Sequence, residues 1–270
     1  MVGNDAVKFS TGVVADGYIR GAQISIDTGA GGIVVLTGVF TDATGSFILP
    51  SNAPAGAIVA TGGFNIDTGL ANTMTLKAPS GSSVINPLTT LVQDYVAANA
   101  AANGGAGVTT TAASAAVVAA LGLAVGTNLT TYDPIAALAA SAPGSVDPVA
   151  LAVQHAAVQV AAIVSLAAAS PNPAMTSAVA AETVFNSLTA QMGTVVAPLV
   201  VNLTDPAVIS TALGTTSTAS VQNIQATNIA IAAAADAPAI AAVQITALTL
   251  NAPLAPVVAL TTDSGMSAQT

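Results

Sequence analysis

The stretch Ala78-Pro79-Ser80-Gly81-Ser82-Ser83-Val84-Ile85-Asn86-Pro87-Leu88-Thr89-Thr90-Leu91-Val92 decides the fold, because the hydrophobic period changes inside it. Beyond it, Leu88, Leu91, Val92, Tyr95 and Val96 recur at the spacing of one helix face. Asn86-Pro87 marks the change. An Asn side chain can accept from an unpaired N–H of the first turn, and the fixed φ of Pro suits the first helical position.

Upstream, short apolar runs over 6–10, 18–27, 33–41, 46–49, 57–61 and 73–78 read as strands. Between them stand Asp16-Gly17, Gly29-Ala30-Gly31-Gly32, Thr44-Gly45 and Asp67-Thr68-Gly69, residues that tolerate positive φ or form Asx-turns. Six short strands with such turns predict an antiparallel β-sandwich over residues 1–83.

Downstream, the helix-start signal repeats at Asp133-Pro134, Asp147-Pro148, Asn172-Pro173 and Asp205-Pro206. Helices are predicted over 110–121, 134–141, 148–169, 173–191, 206–213 and 218–235, after a first one stopped by Gly104. Their faces are largely Ala, which allows close approach but buries little area per residue. Residues 84–237 therefore read as an Ala-rich helical domain. The last segment, 238–270, alternates at Val243-Gln244-Ile245-Thr246 and again at Leu248-Thr249-Leu250, with a second apolar run over 256–262. It reads as extended strands that return to the sandwich or pair with a neighbouring subunit's sheet edge. The fold class expected is α+β.

Charge narrows the function. Hydrophobic residues make up 53% of the 270 and charged ones 6%, against roughly 25% charged in an ordinary globular chain. Twelve acids face three bases, for a net charge of −9. The bases are Lys8, Arg20 and Lys77, and none follows. A nucleic-acid binder needs a basic footprint to neutralise phosphates, so that class is excluded. There is no Cys and one His, which removes zinc–cysteine sites, thiol nucleophiles and disulfides. Solubility normally rests on a charged, mixed surface. Much of this one is expected to be covered by copies of the same chain.

Residues 149–169 form a long uncharged run, but Gln154, His155 and Gln159 fall in its first half and no Lys or Arg flanks it. A buried central helix is expected there, and no membrane span. Met1-Val2-Gly3-Asn4-Asp5 lacks the basic and apolar parts of a cleaved signal, whereas the Cys-free, Lys-poor, acidic composition looks extracellular. Secretion without a cleaved N-terminal signal reconciles the two.

Asp16-Gly17-Tyr18-Ile19-Arg20-Gly21-Ala22 and the later Gly45-Ser46-Phe47-Ile48-Leu49 resemble the "DGYI-x-GA" and "G-x-F-x-L" patterns of prealbumin-like β-sandwiches in bacterial surface proteins. Ile85-Asn86-Pro87-Leu88-Thr89-Thr90-Leu91-Val92 and Leu129-Thr130-Thr131-Tyr132-Asp133-Pro134 are similar to a helical segment that follows such sandwiches in large secreted adhesins and matrix proteins. The resemblance covers roughly residues 12–165 and implies an architecture, not a reaction. Members often carry an Asp-rich calcium loop after the second strand. Here that run is Asp27-Thr28-Gly29-Ala30-Gly31-Gly32, with one carboxylate. Calcium takes six to eight oxygens, so the loop is expected to be metal-free, with Asp27 the one candidate ligand. No cofactor is expected.

Catalytic patterns are poorly served. His155 lies on an apolar helix without a nucleophile elbow and reads as structural. The acids are scattered, and there is no Trp for a sugar cleft. An isopeptide bond between Lys8 or Lys77 and Asn65 or Asn72, assisted by Asp42 or Asp67, is conceivable, but solvated lysines are the expectation. The reading is a non-enzymatic, self-assembling extracellular protein, a subunit of a bacterial filament, sheath or surface layer. Strand-pairing candidates are Val243, Ile245, Leu248 and Leu250, or Val7 and Phe9 at the other end. The alternative is a monomeric adhesin module for a glycan or host protein.

Overall fold

The computed structural model describes residues 10–29, 32–102, 107–142, 145–169, 176–194, 197–214 and 218–251. Strands come first: β1 (Ser10–Val14), β2 (Ile19–Arg20), β3 (Gln23–Asp27), β4 (Ile33–Phe40), β5 (Ser46–Leu49), β6 (Ala57–Thr61), β7 (Phe64–Asn65), β8 (Thr75–Ala78) and β9 (Val84–Ile85). Helices follow: α1 (Pro87–Ala102), α2 (Thr110–Ala120), α3 (Pro134–Ala139), α4 (Pro148–Ala169) and α5 (Ser177–Gln191). After the short pair β10 (Gly193–Thr194) and β11 (Ala197–Pro198) come α6 (Pro206–Leu213), α7 (Thr218–Ala233) and α8 (Ala237–Asn251). The chain is thus α+β, strands and then helices.

Four strands form an antiparallel sheet in the order β4-β3-β6-β8. Three more form β5-β1-β9, with β1 antiparallel to β5 and parallel to β9, and β2 pairs with β7. Val14, Phe47 and Ile85 of the second sheet share one buried cluster with Ile24, Ile26, Ile58 and Leu76 of the first. The strand expected over 18–27 divides at Gly21, whose φ of 72° turns the chain between β2 and β3. The one expected over 6–10 begins, among the described residues, at Ser10 and runs on to Val14.

The step from strand to helix is built by Asn86-Pro87-Leu88-Thr89-Thr90. Asn86 Oδ1 accepts from the Thr89 N–H at 2.8 Å, and Thr89 Oγ1 accepts from the Asn86 N–H at 2.8 Å, a reciprocal cap. The Thr89 hydroxyl also donates to the Lys77 carbonyl, and Thr90 Oγ1 accepts from the Lys77 N–H at 2.9 Å. Both threonines therefore pin α1 against strand β8, and Leu88, Leu91, Val92 and Tyr95 enter the core.

Asp133, Asp147 and Asp205 cap α3, α4 and α6 through side-chain oxygens, as their Asp-Pro signals predict. Asn172-Pro173 lies outside the described residues, and α5 starts later with Thr176 as its cap. Helix α4 packs against α1, α3, α5, α7 and α8. It is long and apolar enough to cross a membrane by length and composition, and most of it is buried by these neighbours.

The C-terminal expectation is corrected. Residues 237–251 form helix α8 rather than extended strands. Its inward positions are Ile240, Gln244 and Ala247, a helical spacing. The run over 256–262 lies outside the described residues.

Candidate functional site

Of the strand-pairing candidates, Val243, Ile245, Leu248 and Leu250 all stand on α8. Val243 packs beside the small cluster of Val158, Ala162, Ile231 and Ile240. Leu248 lines a small cavity next to Asp16. Ile245 is exposed and lines a groove between α3 and α8. None of the four has a ladder to offer, because a helix uses its own backbone hydrogen bonds. Val7 and Phe9 lie outside the described residues.

The helical body covers one side of the strand region, α1 packing on β8 and β9. On the opposite side lie β4 and β5, the edge strands of their sheets. Exposed Phe40 (53%) and Ile48 (58%) stand here beside a groove of about 730 Å³. Thr11, Val13, Ser46 and Val84 line it, with Asp42 and Asp133 at its margins. Ile33, also 58% exposed, stands on the same edge strand as Phe40.

Neither edge strand is a plain ladder. The register of β4 slips against β3 between Ser25 and Gln23, and the Gln23 side-chain amide donates to the Leu36 and Val39 carbonyls across the irregularity. On β5, Asp42 Oδ1 accepts from the Ser46 N–H, and the Ser46 carbonyl accepts from the Asp42 N–H. These contacts blunt the edges to added strands and leave apolar side chains as the accessible feature. The three hydrogen bonds accepted by Asp42 from Thr44 and Ser46 hold its carboxyl below the usual carboxylate range.

A second cluster joins the two motifs singled out in the sequence. Tyr18 Oη donates to Asp133 Oδ2 at 2.8 Å, linking the Asp16-Gly17-Tyr18 turn to the start of α3. Asn65 donates its side-chain amide to the Asp16 carbonyl, and Gln244 Nε2 donates to Asp16 Oδ1 at 3.2 Å. Gly17, at φ 68°, has no room for a Cβ, which would meet Asp67 and Asn65. Burial pushes the Asp16 carboxyl up to about 7, with nearby Asp67 adding to the rise and the Gln244 bond opposing it.

The remaining candidates are structural in their surroundings. Lys77 Nζ lies 3.3 Å from Asp94 Oδ1 and 3.2 Å from Glu182 Oε1, tying β8 to α1 and α5. Asn65 and Asn72 spend their side-chain amides on backbone carbonyls, so neither is presented to Lys77. Lys8 lies outside the described residues. His155 Nε2 bonds the Ala234 carbonyl at 2.9 Å, and desolvation lowers its pKa. Asp27 Oδ1 accepts from the Gly29 N–H as an Asx-turn. Among the described residues no three His, Asp or Glu side chains gather as metal ligands do. Sequence reasoning missed Gln244 and Glu182, since a lone Gln or Glu on an Ala-rich helix carries no pattern.

No protein family, no curated protein and no solved structure matches this chain.

Proposed function

We propose that this chain is a structural, self-assembling protein of the bacterial extracellular surface, a subunit of a filament, sheath or surface layer. The carrying observation is the open side of the strand region, where Ile33, Phe40 and Ile48 are exposed on edge strands. Exposed apolar side chains that flank one groove, as Phe40 and Ile48 do, mark interaction sites, and the chain beyond Lys77 has no Lys or Arg to solvate its remainder. The two sheets, with β5 beside β4 and β9 beside β6 and β8 around one core, support a prealbumin-like sandwich as the architecture. Absence of Cys and scarcity of Lys support an extracellular setting.

Negative-stain electron microscopy with sedimentation velocity on the purified protein tests this reading. Ordered filaments or sheets at neutral pH are expected. A monodisperse monomer at every concentration overturns it. It would favour a second reading, a monomeric adhesin module, for which the groove lined by Thr11, Ser46, Thr131, Asp42 and Asp133 beside Phe40 offers hydroxyls, carboxylates and one exposed ring to a neutral glycan.

A further inference from the structure

A groove of about 590 Å³ runs between α3 and α8. Ile135 and Leu138 of α3 and Ala241 and Ile245 of α8 give it a mainly apolar lining, and Asp67 and Asp236 stand on its walls. Asp236 spends one oxygen capping α8 through the Ala239 N–H. Asp67 is partly desolvated, and burial pushes its carboxyl above the ordinary range. Two acids beside apolar surface suit an apolar segment carrying one cation.

The chain has three candidate cations. The Arg20 guanidinium lies 5.4 Å over the Phe64 ring, and Lys77 is held by Asp94 and Glu182. The third, Lys8, lies outside the described residues and is flanked in sequence by Val7 and Phe9. In an extended chain Val7 and Phe9 fall on one side and Lys8 on the other, and the long Lys stem lets the ammonium reach sideways to a wall carboxylate. Two copies at −9 each repel one another, so a specific contact gains most where a scarce cation meets acids that make no ion pair among the described residues.

We propose that residues 7–9 of one copy dock in the α3–α8 groove of the next, Lys8 pairing with Asp67 and Asp236 while Val7 and Phe9 cover Ile135, Leu138 and Ile245. This rests on the self-assembly reading and gives it a direction. A segment on one surface entering a groove on another is a heterologous contact, which propagates as an open filament unless the rotation closes a ring.

The test is charge reversal read by sedimentation and electron microscopy on the full chain. Lys8→Glu weakens association by roughly tenfold or more, as expected of a charge pair at a partly desolvated interface. Asp67→Asn with Asp236→Asn weakens it similarly, and circular dichroism confirms folding. Lys8→Glu combined with Asp67→Lys and Asp236→Lys restores it. Assemblies indifferent to Lys8→Glu and to the double Asn variant overturn this docking and leave self-assembly standing. A wild type that never associates overturns both. A monomer whose thermal stability falls with Lys8→Glu places the segment in its own groove and overturns the intermolecular form.

Discussion

The carboxyl of Asp16 and the side-chain amide of Gln244, 228 positions apart in sequence, meet at 3.2 Å in the corner where the first strand turn touches the last helix. Helix α8 is thereby tied to the strand region through a buried acid. Burial raises that acid to about 7, so the folded state favours its protonated form. An unfolded Asp ionises near its ordinary value, so the folded state binds the extra proton between roughly pH 4 and 7. The Asp16 contribution to stability is therefore best below that window, falls as pH rises through it and is level above. Asp16→Asn keeps an oxygen for Gln244 and cannot ionise. Urea unfolding should show it more stable than wild type at pH 8, by on the order of 2–4 kcal/mol, and nearly equal at pH 4. Equal stability at both pH values would count against a buried ionising Asp16.

The same residue explains what could not be read in advance. The alternation Val243-Gln244-Ile245-Thr246 is real, but Gln244 stands at an inward helical position because its partner is a buried carboxyl, and Ile245 faces outward. A polar residue on the buried face hides a helical period. Strand β1 was obscured by Gly12, which lies on the inner face because a Cβ there would collide with the Phe47 ring at 2.6 Å. Strands β5 and β6, by contrast, lie at the predicted bounds, since Gly45 and the Pro-Gly-containing loop before Ala57 punctuate them clearly. The helix starts at Asn86, Asp133, Asp147 and Asp205 were readable because cap chemistry is local. The Tyr18–Asp133 and Lys77–Glu182 contacts span more than a hundred positions, and no local rule encodes them.

Lys77 holds a nearly buried partner and an exposed one. Asp94 is 6% exposed and its Oδ2 has no hydrogen-bond partner, whereas Glu182 is 58% exposed. Lys77→Met strands the Asp94 charge and should cost about 1–3 kcal/mol, discounted for the partial exposure of the lysine. Glu182→Gln should change stability by less than about 0.5 kcal/mol. Adding Asp94→Leu to Lys77→Met should recover most of the loss. Chemical denaturation of the three variants beside wild type measures this, and a Glu182 effect equal to that of Lys77 would refute the ranking.

Asn86 accepts from the Thr89 N–H inside the core, and its own N–H is held by the Thr89 hydroxyl. Removing the acceptor leaves a buried donor unpaired, so Asn86→Ala should destabilise by about 2 kcal/mol, at the upper end for a cap. Asp205 caps α6 at an exposed site. There water replaces the lost oxygen, and Asp205→Ala should cost about 0.5–1 kcal/mol. Urea midpoints compare the two directly.

The last prediction concerns the apolar patch at the open sheet edges. Val125 is 98% exposed, more than Phe40 or Ile48, yet it is not among the residues lining the groove. A single exposed apolar side chain is ordinary, whereas neighbouring ones around a groove offer area that a partner can cover together. Covering the exposed halves of Phe40 and Ile48 is worth about 1 kcal/mol each. Phe40→Ser with Ile48→Ser should therefore raise the concentration needed for assembly by roughly tenfold or more, while Val125→Ser leaves it unchanged. Sedimentation velocity across a concentration series reads both. A shift of the same size from Val125→Ser would mean that general hydrophobicity, rather than this patch, drives association.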